Sequence, residues 1–313
     1  MDAPLVFAPI CSKRIRILWQ VGLISLSLIP FVVKDIFADV TTNGGSSRPQ
    51  ILFVANMQGN ETMKDINLYE TIFKRKSIRQ YDLTPLDEHT LAEIMAHTNA
   101  LKPLFDGIKI EMTLLSQKDV KGLFLAKAPH YLAVFSEAKD GYLTNAGFML
   151  QQMDLFFSAN GFGSCWQGMP KPTKEILKKS KLEFVILLAF GKPKERLHRE
   201  SIWEFKRKAL GEITNIKGAD ELLEPARLAP SAMNWQQWFF TGDAGTIHAY
   251  RAKPSFLTAF MTDKVNKVSV GIAICHVWLA AKHFGKEVEF VSDKEAQNNP
   301  PSGHEYVITI KIK

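Results

Sequence analysis

The chain has 313 residues, a formal net charge of +7, 46% apolar and 23% charged residues, the composition of a globular protein rather than a fibrous or disordered one. Three cysteines, Cys11, Cys165 and Cys275, form no Cys-x-x-Cys pair and stand beside no histidine at ligand spacing, which argues against a disulfide framework or a zinc site. The positive excess lies in the middle (+1 over residues 1–61, +5 over 62–215, +1 over 216–313), and no nucleic-acid-binding signature accompanies it, so nucleic acid is not an expected partner.

Residues 1–61 form an extension with three open readings. Lys13-Arg14-Ile15-Arg16 precedes an apolar run over 17–33, interrupted by Gln20, serines and Pro30. That run sits at the lower length limit for a membrane span, and its basic flank, followed by Phe37-Ala38-Asp39, also fits an export signal. Residues 57–63 back-translate readily into a purine-rich ribosome-binding site followed by a start codon at Met63, which makes translated upstream sequence the second reading and a cytoplasmic location its corollary. A folded cap is the third.

Further along, the apolar pattern becomes that of a folded domain. Residues 69–74 read as a short helical stretch, and Leu91, Ile94 and Met95 recur at helical spacing within 86–100. Residues 108–114 alternate as a strand and 129–135 read as a buried one. A long helix over 142–160 is stopped by Gly161. The lysines between 171 and 181 suit a solvated helix face. Residues 184–190 form a continuous apolar strand closed by Gly191, which suggests a sheet covered on both faces. The architecture implied is α+β, with the sheet inside and helices flanking it.

The same order then recurs in shortened form: a helix over 219–228, strands over 238–241 and 246–251, a long helix over 268–284 stopped by Gly285, and strands over 288–291 and 306–312. Aligning Gly147 with Gly271 also brings Leu155 onto Leu279 and Gly161 onto Gly285. This suggests an internal duplication, with chance similarity of two amphipathic helices as the alternative. The chain divides accordingly into the extension 1–61, a first copy over 62–215 and a shortened second copy over 216–313.

Two motifs carry a family resemblance. Arg75-Lys76-Ser77-Ile78-Arg79, followed by Gln80-Tyr81, combines convergent cations with a hydroxyl, as a phosphate site requires; a basic helix end is its plain alternative. Ala229-Pro230-Ser231 with Asn234, Gln236 and Trp238 is the more specific run. Together they resemble the signatures of the FMN-dependent nitroreductase family, whose first motif holds the FMN phosphate and ribityl chain and whose Ser and Asn reach the flavin. Gln237 stands where the family usually has proline. Two weaker matches follow the same resemblance. The stretch 161–169 implies backbone contacts to the flavin ring from Gln167 and Gly168. The stretch 205–212 implies phosphate contacts from Lys206 and Lys208, with Arg207 possible through a one-residue ambiguity.

In ordinary members both motifs lie near the start of each subunit, and the flavin sits between subunits. Here the first copy keeps the arginine motif but has Thr98-Asn99-Ala100-Leu101-Lys102-Pro103 where its Pro-Ser loop should be, whereas the second copy keeps the loop and lacks the arginine motif. The resemblance therefore implies a pseudo-twofold, fused-dimer form of the nitroreductase fold, a monomer with one FMN per chain. It further implies a ping-pong cycle in which NAD(P)H reduces the flavin and a nitroaromatic, quinone or similar small acceptor reoxidises it. No dedicated acid-base side chain is then required, and no Ser/His/Asp or Cys/His constellation is found. Two other functions stay open: a flavin-binding protein without turnover, and a redox component tethered to a membrane through residues 17–33.

Overall fold

A computed structural model describes residues 67–254 and 259–313; the extension, including the basic flank, the apolar run 17–33 and residues 57–63, lies outside the described residues. The first half runs α1 (Leu68–Ile72), α2 (Glu88–His97), β1 (Ile110–Ser116), β2 (Val120–Lys121), β3 (His130–Ser136), α3 (Tyr142–Ala159), β4 (Gly163–Gln167), β5 (Lys171–Pro172), α4 (Lys174–Leu177) and β6 (Glu183–Gly191). The second half runs α5 (Asp220–Arg227), β7 (Trp238–Gly242), β8 (Thr246–Ala252), α6 (Ala259–His283), β9 (Val288–Val291), α7 (Lys294–Asn298) and β10 (His304–Ile312). The predicted elements are all present, shifted by a residue or two at their ends. The exceptions are α6, which starts nine residues earlier than its apolar pattern suggested, and the lysine-rich stretch after 171, of which only α4 is helical.

Two four-stranded antiparallel sheets repeat one topology. The first has the order β1-β3-β6-β4 and the second β7-β8-β10-β9, so in each a hairpin is followed by a long helix, an edge strand and a last strand that inserts between them. The last strand also slips register against its hairpin neighbour in both sheets, between Val134 and Phe135 in one and between Tyr306 and Ile308 in the other.

The α+β architecture is the expected one, and within the main core α3 and α6 pack against each other. Nearly every residue of α3 from Leu143 to Ser158 is buried, as a helix enclosed on all sides requires. The close approach depends on two glycines: a Cβ on Gly147 would lie 2.1 Å from the carbonyl oxygen of Val268, and one on Gly271 would lie 2.0 Å from that of Thr144. The two contacts are reciprocal, because Val268 and Thr144 each precede the glycine of their own helix by three positions. A pseudo-twofold axis between the helices demands this reciprocity.

In the first sheet the side chains alternate between two cores. Leu132, Val134, Leu188 and Phe190 face the helix pair, while Tyr131, Ala133, Phe135, Leu187 and Ala189 face a second cluster with Ile78, Tyr81 and Val120. The second sheet offers only one face, through Phe240, Ile247, Ala249, Ile308 and Ile310, to the main core.

Candidate functional site

The arginine motif lies along β4. Ser77 bridges Ser164 in parallel, and the Ile78 N–H donates to the Ser164 carbonyl at 2.9 Å. In such an extended stretch side chains alternate, so Arg75 and Ser77 leave one side and Lys76 the other. The Arg75 guanidinium donates to Ser77 Oγ at 3.1 Å. Lys76 instead pairs with Glu195 at 2.7 Å and donates to the Arg196 carbonyl at 3.1 Å, so the structure does not bring it to the set the motif implied. Glu195 also accepts from the Arg79 backbone N–H at 2.8 Å, while the exposed Arg79 guanidinium has no hydrogen bond or ion pair among the described residues.

Arg75 is buried, 1% exposed, and its Nε lies 3.1 Å from Asp154 Oδ2 as an ion pair rather than an aligned hydrogen bond. Asp154, on α3, also accepts from Ser164 Oγ at 2.6 Å and from Gln151 Nε2 at 3.2 Å. Gln151 Nε2 lies 3.0 Å from Nε2 of His276 on α6, whose Nδ1 lies 2.7 Å from the Pro225 carbonyl of α5. A consistent proton assignment follows. His276 donates through Nδ1 and accepts through Nε2, and is therefore neutral. Complete burial, with Arg75 and Arg207 nearby, pushes its pKa down to about 3 despite the Pro225 hydrogen bond. This polar network runs through the otherwise apolar helix interface and joins the two halves.

The Pro-Ser loop is bound to the connector between the halves. Pro230 is buried, and Ser231 Oγ accepts from the Gln236 N–H at 3.0 Å. Gln236 accepts from the Lys208 N–H at 2.8 Å through Oε1, donates to the Asn234 carbonyl at 2.9 Å, and its own carbonyl accepts from Lys208 Nζ at 3.1 Å. Met233, Asn234 and Gln236 all have positive φ, at 48°, 60° and 51°, left-handed positions that non-glycine residues hold only where surrounding contacts over-determine them. Ser269 of α6 adds one such contact by accepting from the Ala232 N–H at 3.2 Å. The Asn234 side chain is fully engaged, its Oδ1 accepting from Arg207 Nη1 at 2.6 Å and its Nδ2 donating to the Lys206 carbonyl at 2.6 Å.

Arg207, rather than Lys206 or Lys208, thus presents its side chain to Asn234. Lys208 is spent on Gln236, and Lys206 is exposed and contributes its carbonyl. Of the basic stretch it is the Arg207 side chain that faces Asn234, a fact without a sequence signal. Gln167 is likewise tied, its Oε1 accepting from the Ala126 N–H at 2.9 Å, which leaves its backbone and that of exposed Gly168 at the end of β4. A Cβ on Gly168 would lie 3.4 Å from Val265 of α6.

A chain of contacts through residues 199–207 links the two motifs although more than 150 positions separate them. Arg199 donates through Nη1 to the Arg75 carbonyl and lies 4.0 Å over the Phe205 ring; Arg207 lies 5.7 Å from the same ring and reaches Asn234. Burial, with repulsion from Arg75, pushes Arg199 down to about 10 and Arg207 to about 9. Three arginines thus gather at one place with a single buried carboxylate, Asp154, beside them. Such a cluster suits a multiply charged anion. Asp154 carried no motif of its own, since recognising it requires knowing what Arg75 touches. Among the described residues no group of side chains is placed to hold a metal ion, and no helix is long and apolar enough to cross a membrane.

This α+β fold, with its paired sheets and central helix pair, is that of the nitroreductases. The family described as "Putative TM nitroreductase" matches residues 67–281, and the chain belongs to it. It is accordingly an oxidoreductase of a flavin-dependent class. Among solved structures, a "putative nitroreductase" from Thermotoga maritima is 20% identical with a TM-score of 0.56, over 82% of this chain and 97% of that one. A nitroreductase family protein from Clostridium novyi is 20% identical with a TM-score of 0.35, over 41% and 88%. An FMN-dependent nitroreductase from Clostridium difficile R20291 is 19% identical with a TM-score of 0.34, over 42% and 89%. No curated protein matches the chain.

Proposed function

We propose that the chain binds one FMN between the two motifs and uses it to pass electrons from NAD(P)H to a small planar acceptor. The observation that carries this reading is the contact path from Arg75 through Arg199, Phe205 and Arg207 to Asn234. It places a cation cluster short of anions beside a strained, tightly braced loop. When bound, FMN supplies the redox chemistry, accepting hydride from NAD(P)H and returning electrons to a nitroaromatic or quinone in alternate half-reactions.

The chain's own residues bind and orient. Arg75, Arg79 and Arg207 meet the phosphate; Ser77 and Ser231 offer hydroxyls; the backbone of Gln167 and Gly168 lies where the ring passes. Asn234 acts through Arg207, and Asp154 through Arg75, as positioning residues. Beside Gly168, the exposed apolar side chains of Leu123, Phe124 and Met169 suit a flat, apolar acceptor. Since the site draws on both halves of one chain, a functional monomer with a single flavin follows. The purified protein should be yellow with a flavin-to-chain ratio near one, and anaerobic NADH or NADPH should bleach it. A ratio near two would refute the shared site. A yellow protein that neither nucleotide bleaches would favour flavin binding without turnover.

A further inference from the structure

The second half carries an arginine signature of its own. The offset of 124 positions that takes Gly147 to Gly271 and Thr144 to Val268 also takes Arg75-Lys76-Ser77-Ile78 to Arg199-Glu200-Ser201-Ile202, and Tyr81 to Phe205. The backbone obeys the same exchange. Arg75 bridges His198, and the image of that pair under the offset, Lys74 with Arg199, is a hydrogen bond from the Arg199 N–H to the Lys74 carbonyl at 2.8 Å. The pseudo-twofold axis that relates the long helices therefore relates these segments too. On this offset the second half reaches back to at least 199 and carries a trace of the motif.

This second signature cannot build a second site. Glu200 replaces Lys76, Trp203 replaces Arg79 and Glu204 replaces Gln80, so the local charge favours no phosphate. Glu204 Oε1 accepts from the N–H groups of Glu200 at 2.7 Å and Ser201 at 3.3 Å, and Arg196 pairs with both Glu200, at 2.6 Å, and Glu204. The carboxylate that holds Arg75 is also gone: Asp154 maps to Trp278, and Ser164, its hydroxyl donor, maps to Val288. Arg199 has no counterpart of the anchor that keeps Arg75 in place. Its guanidinium reaches instead across the axis, to the Arg75 carbonyl and over Phe205, toward Arg207.

We propose that Arg199, the remnant of the lost site's signature, is a phosphate-binding residue of the retained flavin site. The retained site then holds a guanidinium from each copy of the signature, and this inference rests on the FMN reading given above. Two charges of a terminal phosphate would offset repulsion that Asp154 alone leaves uncompensated among Arg75, Arg199 and Arg207. The Glu204 carboxylate, the other acidic group near Arg199, is already engaged by Arg196 and two backbone N–H groups.

The test compares FMN with riboflavin, which shares the ring and ribityl chain but lacks the phosphate, by fluorescence titration of the deflavinated full chain. Arg199→Ala should weaken FMN about tenfold or more, leave riboflavin affinity unchanged and flatten the salt dependence of FMN binding; Arg199→Lys should recover part of the loss. Equal losses for both ligands would show that Arg199 only braces the Arg75 backbone, and no loss for either would remove it from the site; each overturns the proposal. Should the alanine variant fail to fold, Arg199→Gln keeps length and hydrogen bonding without charge, and the same comparison decides. If the unmodified chain itself showed no preference for FMN over riboflavin, the FMN reading would fall first, and that outcome is distinct from the others.

Discussion

The two halves share a topology and differ in what they have kept. The first sheet is covered on both faces, and its arginine signature is anchored by Asp154. The second sheet gives its apolar residues to one core and buries the polar Tyr250 and Thr309 on its other face, and its signature is filled by its own glutamates. The loops show the reverse. Asn145 of α3 accepts from the N–H groups of Leu104 and Phe105 at 2.8 and 3.1 Å, holding a loop without the Pro-Ser sequence, while Ser269, 124 positions later, holds the strained loop that has it. A symmetric dimer cannot specialise this way, because each change would strike both of its sites at once. Joining the halves in one chain lets each lose what the other supplies. The scaffold at the axis, where both halves meet, stays symmetric because neither helix can change without the other.

The largest expected effect contrasts Asp154 with its counterpart Trp278. Asp154→Asn leaves Arg75 charged and buried without its counter-ion and should cost about 3–5 kcal/mol in a denaturant titration. Trp278→Phe should cost under about 1.5 kcal/mol. Similar losses for the two would mean that the ion pair is not what distinguishes the halves.

Next comes the pH dependence set by His276. Its folded-state value of about 3 lies below the ordinary value near 6.5, so the unfolded chain binds the extra proton between these limits. Stability from this source is complete above pH 6.5 and declines as pH falls toward 3, at up to about 1.4 kcal/mol per pH unit. His276→Gln should flatten that slope in stability measured across the window, and an unchanged slope would show that other groups set it.

The symmetric scaffold should respond symmetrically. Gly147→Ala and Gly271→Ala each press a methyl group onto the opposite helix's backbone and should each lower stability by about 1–3 kcal/mol. A loss confined to one of them would break the reciprocity.

The smallest contrast lies within the arginine motif. Arg79→Ala removes a guanidinium that has no hydrogen bond or ion pair among the described residues and should weaken FMN about tenfold, roughly 1.5 kcal/mol. Lys76→Ala, which breaks a half-exposed pair with Glu195, should change stability by less than about 1 kcal/mol and leave FMN affinity within about threefold. Equal losses of flavin affinity would return Lys76 to the site.

Much of this was legible in the residues. Apolar periodicity, alternation and continuous apolar runs located the long helices and most strands, because side-chain burial imposes its period on sequence wherever a face is enclosed. The Pro230, Ser231 and Asn234 run identified the loop, since left-handed backbone and a fixed hydrogen-bond pattern tolerate few alternatives. The matching glycines of the two long helices announced the repeat, because close helix contact leaves no room for a Cβ. Tertiary structure alone decided the rest. That α3 packs against α6 depends on which apolar faces meet, and the sequence pattern of each helix does not name its partner. Which cation of Lys206, Arg207 and Lys208 faces Asn234 depends on one rotation of an extended chain. The partner of Arg75 lies 79 positions away on another element, and the second signature at Arg199 has kept too few of its residues to declare itself. Charge pairing and symmetry are properties of positions in space, and the chain's order does not record them until it is folded.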